Sequence, residues 1–147
     1  MDRPETLIRE ASENDTEGLT QLMNELGYPT SRDEMCDRFL RIQIQKDYRT
    51  LIASHQGHVA GMIGLQKSYY FEKNGVYVRV VALVVKNSHR KMGIGSLLMK
   101  AAENWAKEMN ANSLILNSGN RPERIAAHQF YNKLGFQNYS SGFRKVL

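Results

Sequence analysis

Arg90, Lys91, Gly93 and Gly95 fall within six residues, directly after an almost continuous apolar run from Val76 to Val85 and directly before a helical pattern. That order makes an anion trap. Glycines let the backbone approach a phosphate closely, the free amides of a helix start point at it, and the helix dipole adds a favourable partial charge. Arg90 and Lys91 add full charges, and no Asp or Glu occurs from Lys73 to Ala102 to oppose them. A diphosphate is the ligand class that suits this chemistry. The closing Gly-Lys-Ser/Thr of a P-loop is absent, and Leu98 stands where the dinucleotide fingerprint needs a third glycine or alanine. From the residues alone, a tight strand-to-helix turn with a solvated basic face accounts for the segment equally well.

Elements on both sides must hold this loop. Leu19, Leu22, Met23 and Leu26 recur at helical spacing after Asn14 or Asp15, either of which can cap the helix. Gly27, Tyr28 and Pro29 then stop it. Ser31 and Glu34 have capping-box spacing, and Met35, Phe39 and Ile42 carry a second helix to about Gln45. From Thr50 the period becomes two, which predicts strands at Leu51–Ser54, Val59–Leu65 and Tyr77–Val85, with turns at Gln56-Gly57 and Asn74-Gly75. The Val76–Val85 run is expected to be a strand covered on both faces. Ile94, Leu97, Leu98, Ala101, Ala102, Trp105, Ala106 and Met109 mark the helix behind the basic loop. A short strand at Leu114–Leu116 follows, then a helix beginning near Pro122 and ending at Gly135. Phe136–Tyr139 and Phe143–Val146 are expected to form a closing pair of strands.

At 147 residues, 41% of them hydrophobic and 24% charged, the sequence is that of one ordinary globular domain over 1–147. Cys36 is the single cysteine, so no internal disulfide can form, and the four histidines lack zinc-ligand spacing; no metal site is expected. Met1–Glu10 has no apolar run of the signal-peptide kind, and no stretch of about 18 apolar residues occurs. A cytoplasmic protein with no membrane segment is expected. The net charge of +5 favours polyanions: nucleic acid, an acidic membrane or a phosphate-rich cofactor.

Arg90-Lys91-Met92-Gly93-Ile94-Gly95 resembles the Arg/Gln-x-x-Gly-x-Gly/Ala signature of the Gcn5-related N-acetyltransferases, the GNAT superfamily. His128-Gln129-Phe130-Tyr131-Asn132-Lys133-Leu134-Gly135-Phe136 resembles the same family's Phe-Tyr-x-x-x-Gly-Phe segment. The resemblance implies an α/β (α+β) fold with a mixed, mostly antiparallel sheet, flanked by helices and splayed after the strand that ends near Val85. It also implies acetyl-CoA as co-substrate and direct transfer of acetyl to a primary amine of a small molecule.

Residue by residue, the resemblance gives the pyrophosphate to the amides of Met92, Gly93, Ile94, Gly95 and Ser96, with Arg90 and Lys91 assisting. The backbone of Leu83, Val84 and Val85 would hold the pantetheine arm like an added strand. Asn117 and Asn120 are further cofactor candidates. Arg124 stands where many relatives have an asparagine. Transfer needs an oxyanion donor and an acid for the departing thiolate; the amides near Val84 and the phenol of Tyr131 are the candidates. Relatives often place a glutamate on the central strand, where this chain reads Arg79-Val80-Val81-Ala82-Leu83. No base is assigned, since an amine that arrives partly deprotonated needs little help. His128 and Cys36 are read as packing or surface residues.

By the same analogy the acceptor pocket draws on Leu26–Phe39 and Gln66–Lys73, with Tyr28, Tyr69, Tyr70 and Phe71 as lining. A homodimer is expected from the resemblance. The competing classes are a protein or peptide N-acetyltransferase and a non-catalytic acyl-CoA-binding module. The basic residues concentrate at the proposed diphosphate loop and no helix-turn-helix or aromatic single-strand platform is recognisable, which argues against a nucleic-acid partner.

Overall fold

Alternation of apolar residues builds a sheet whose two faces bury different clusters. The computed structural model describes residues 5–118 and 124–147. Strands β1 (Thr6–Glu10), β2 (Tyr48–His55), β3 (His58–Tyr69), β4 (Val76–Val85) and β5 (Ala111–Leu116) lie side by side in chain order. The first three pairings are antiparallel and β4–β5 is parallel. A parallel neighbour requires a crossover, here made by α3 (Ile94–Glu108). Helices α1 (Thr16–Leu26) and α2 (Arg32–Gln43) fill the connection between β1 and β2, and α4 (Ile125–Lys133) follows β5.

Leu51, Ile63, Leu65, Val78 and Val80 face α3 and bury Ile94, Leu98, Met99, Ala102 and Trp105. Ile52, Met62 and Val84 point the other way, onto Leu19 and Leu22 of α1 and Met35 and Phe39 of α2. The period of two in the strands thus decides which helix each side chain meets.

Local capping follows the expected chemistry at α2, where Ser31 Oγ accepts from the Glu34 amide at 3.1 Å and Glu34 Oε1 accepts from the Ser31 amide at 3.2 Å. Ahead of α1 a short 3-10 turn, Glu13–Asp15, intervenes, and Asp15 has another task. Its carboxylate receives two guanidinium hydrogen bonds from Arg9, both 2.8 Å, and one from the Ser12 amide at 2.8 Å. The Arg9 hydrogen bonds, then the Ser12 amide, hold the Asp15 carboxyl below its ordinary value against the opposing effect of burial. A depressed native value means stability that is full above the unfolded value near 4 and is lost as pH falls through the lower folded value. Arg9→Ala is therefore expected to cost about 1–2 kcal/mol at neutral pH, discounted for the exposure of the arginine. Chemical denaturation at pH 7 should show that loss, and at a pH well below 4 the difference between variant and parent should shrink.

Four sequence expectations are corrected. The second helix ends at Gln43 rather than Gln45, and the strands are longer than predicted. Residues 136–147 contain no strand: Gln137, Asn138, Ser140, Ser141 and Gly142 interrupt the apolar pattern, and Phe136–Gly142 line a cavity with β5 instead of pairing to it. Nor is β4 covered on both faces, because Arg79 and Val81 are exposed. Helices α1 and α2 reach only its later residues, Ala82 and Val84. The predicted helix start at Pro122 lies outside the described residues.

Candidate active site

Strand β4 changes character halfway along. Gly64 faces Ala82 and Leu65 faces Val80, so Val81 is an extra residue with no partner on β3. Such a bulge bends its strand and increases the local twist. The last β5 pairing is Val80↔Leu116, so among the described residues Ala82–Val85 have a strand neighbour on the β3 side and none on the other. The splay that the family resemblance implies, after the strand ending near Val85, is present between β4 and β5 and opens past Val80. Its unpaired edge can accept an extended ligand by strand-like hydrogen bonding.

The chain leaves β4 through a short 3-10 turn at Asn87–His89 and reaches α3 through Lys91 and Gly93, both with left-handed φ of 65° and 79°. Gly93 is the N-cap of α3 and no side chain caps the helix. The first intrahelical bond runs from the Leu97 amide to the Gly93 carbonyl, so the amides of Ile94, Gly95 and Ser96 have no helical partner. A Cβ built on Gly93 meets nothing within 4 Å, which leaves space directly over these donors. Arg90 and Lys91 are exposed beside them, and neither has an ion-pair partner among the described residues. Free amides, an open approach and two unopposed cations fit a diphosphate.

Tertiary contacts that the sequence does not announce fix this loop. Glu25 of α1 accepts from the Asn87 amide at 2.6 Å, and Lys86 Nζ donates to Gln21 Oε1 at 3.4 Å. His89 packs edge-on against the buried His55, with ring centroids 5.3 Å apart. Only the docking of α1 brings a carboxylate to a segment that has none of its own.

Helix α4 sits against the start of α3. A Cβ on Gly95 would lie 3.2 Å from Phe130, so glycine there permits the close approach. Tyr131 is half-buried, with Phe130 and Phe136 rings 5.7 and 6.1 Å away, and it borders the same apolar cluster as Leu83, Val85 and Leu116. Arg124 Nε and Nη2 donate to Ser118 Oγ, each at 3.3 Å, which joins the end of β5 to the start of α4. Asn117 is exposed just past β5; Asn120 lies outside the described residues.

A cavity of about 1220 Å³ runs along the outer edge of β5, between the β3–β4 hairpin, α4 and residues 134–142. Tyr69, Tyr70 and Phe71 line it, as expected, together with Tyr131, Asn117 and His128. Tyr28 does not: it is 69% exposed in the α1–α2 turn. Cys36 is a half-buried thiol in α2. None of Arg90–Ser96 lines the cavity; Tyr131 lines it and also packs on the apolar cluster that contains Ile94 of the α3 start.

A splayed mixed sheet with a glycine-rich helix start beside the splay defines a class of acyl-transfer proteins, and residues 16–136 match the model of the acetyltransferase (GNAT) family. The chain belongs to that family and is an N-acetyltransferase. It is 30% identical over 145 residues to the aminoalkylphosphonate N-acetyltransferase of Salmonella typhimurium, covering 95% of this chain and 90% of that one. A GNAT family acetyltransferase structure from Staphylococcus aureus superposes with a TM-score of 0.83 at 32% identity, over 97% of this chain and 98% of the other. An aminoglycoside N-acetyltransferase in complex with CoA has the same fold, with a TM-score of 0.82 at 17% identity over 99% and 97% of the two chains.

Proposed function

We propose that residues 1–147 act as one acetyl-CoA-dependent N-acetyltransferase domain that acetylates the primary amine of a small molecule. The observation that carries this reading is the adjacency of two unspent hydrogen-bonding surfaces: the open edge of Ala82–Val85 and the uncapped first turn of α3. Acetyl-CoA supplies the activated thioester. Leu83, Val84 and Val85 hold its pantetheine arm, with an amide near Val84 serving the oxyanion. The amides of Met92 to Ser96 take the diphosphate, with Arg90 and Lys91 neutralising its charge; Asn117 and Asn120 complete the cofactor contacts. Tyr131 protonates the departing thiolate. The acceptor enters from the cavity beside β5, which leaves the diphosphate and the amine on opposite sides of the thioester. Among the described residues no helix is long and apolar enough to cross a membrane, and the reading places the enzyme in the cytoplasm, without a nucleic-acid partner.

Calorimetry with acetyl-CoA, followed by a free-thiol assay over aminoalkylphosphonates, aminoglycosides, polyamines and amino acids, tests the proposal. Saturable binding with thiol release for one class of small amine is the expected result. Binding without release for any amine would leave an acyl-CoA-binding module, and absence of binding would remove the reading altogether.

A further inference from the structure

The exposed half of β4 places an unpaired cation on the acceptor side of the sheet. Register aligns Tyr48 of β2, Gln66 of β3, Arg79 of β4 and Ile115 of β5 in one row across four strands. Tyr77, two residues before Arg79, shares this face with Ser68, its partner on β3. The row looks away from α3, and α1 and α2 stop short of it, so Arg79 is exposed while Tyr48, Gln66 and Ile115 are half-buried. Ile115 and Tyr77 also line the cavity while Arg79 and Gln66 do not, so the row adjoins the acceptor space at its β5 end.

What distinguishes this face is unspent polar capacity of one sign. Among the described residues, the guanidinium of Arg79, the amide of Gln66 and the hydroxyls of Tyr48, Ser68 and Tyr77 have no intramolecular partner. Arg79 is the one charged residue on the row, and among the described residues no carboxylate pairs with it. The two acids of the cavity lie elsewhere: Glu103 on α3, behind the sheet, and Glu72 at the exposed tip of the β3–β4 hairpin. A partly buried, polar sheet face with no covering helix, one cation and no anion is complementary to a ligand anion.

We infer that the acceptor is a primary amine carrying an anionic group, phosphonate, phosphate or carboxylate, and that Arg79 holds that group. The inference rests on the acetyltransferase reading above. The planar guanidinium takes two oxygens of such an anion at once, with Gln66 and the neighbouring hydroxyls able to take the third oxygen of a phosphonate or phosphate. From Arg79 to Leu83 the strand runs about 13 Å at the usual rise per residue, and a short aminoalkyl chain together with the long arginine arm covers that interval. The anion is thus held on the paired half of β4, and the amine projects toward the splayed half where the thioester lies.

The test compares acceptors matched except for the anion, such as 2-aminoethylphosphonate and β-alanine against n-propylamine and 1,3-diaminopropane, by thiol release with the full chain. The parent should favour the anionic amines by roughly 10- to 100-fold in kcat/KM, the range of a charge-assisted pair converted to a ratio. Arg79→Gln should raise KM for those acceptors about 10-fold or more with kcat little changed, because binding common to ground and transition state is what it removes. Arg79→Lys should recover part of the loss, and Arg79→Glu should turn the preference toward the diamine. Calorimetric affinity for acetyl-CoA should be the same in all three variants. Equal turnover of neutral and anionic amines by the parent, or an Arg79→Gln defect that is the same for every acceptor, overturns the inference and leaves the acetyltransferase reading intact. Loss of acetyl-CoA binding by the parent, or binding without turnover of any amine, overturns both.

Discussion

Gly93→Asp is expected to abolish measurable binding of acetyl-CoA while leaving the protein folded. A Cβ added at Gly93 meets no heavy atom beyond its chain neighbours within 4 Å, so the substituted side chain starts in open space. Its intrinsic cost is that of placing aspartate at a φ of 79°, a conformation that aspartate and asparagine tolerate better than other residues. The carboxylate would stand over the unpaired amides of Ile94, Gly95 and Ser96, where the proposed diphosphate lies, satisfying those donors itself and repelling the ligand. Like charges about 4 Å apart near a protein surface oppose each other by about 4 kcal/mol, on the order of 1,000-fold in affinity. Gly93→Asn has nearly the same shape without the charge and should bind with a much smaller loss. Calorimetric affinity unchanged in the aspartate variant would remove the loop as the diphosphate site; equal losses in both variants would assign the effect to crowding rather than charge.

Tyr131→Phe is expected to leave acetyl-CoA affinity intact and to slow turnover by roughly 100-fold or more, the range of a general acid. The ring packs against Phe130 and Phe136, and phenylalanine preserves that packing. Among the described residues the Tyr131 hydroxyl has no hydrogen-bond partner, so its deletion strands no buried donor or acceptor and should change stability little. The deficit should also shrink with a thioester whose thiol is more acidic, since such a leaving group needs less protonation. A turnover rate equal to that of the parent would remove Tyr131 as the acid and leave it as a packing residue beside the cavity.

Much of the site was legible because its chemistry is local. Gly93 and Gly95 after an apolar strand state a helix start that a phosphate can approach, and Ser31 with Glu34 states where α2 begins; each depends on residues within a few positions of one another. The helical periods that place Leu19, Leu22, Leu98 and Met99 in the core are local in the same sense.

The sequence by itself determined the element order as far as α4 and the glycine-bearing start of α3 behind β4, because propensity, periodicity and backbone freedom act over a few residues. Tertiary structure alone decided that Val81 bulges out of register with β3, that β5 leaves β4 after Val80, and that Glu25 of α1 anchors the loop at Asn87. It also decided that residues 136–147 form no strand, and that Arg79, with no carboxylate partner among the described residues, is exposed on the sheet rather than in a covered strand. Pairing register and helix docking join residues far apart in the chain, and no short-range pattern carries the energy that selects among them.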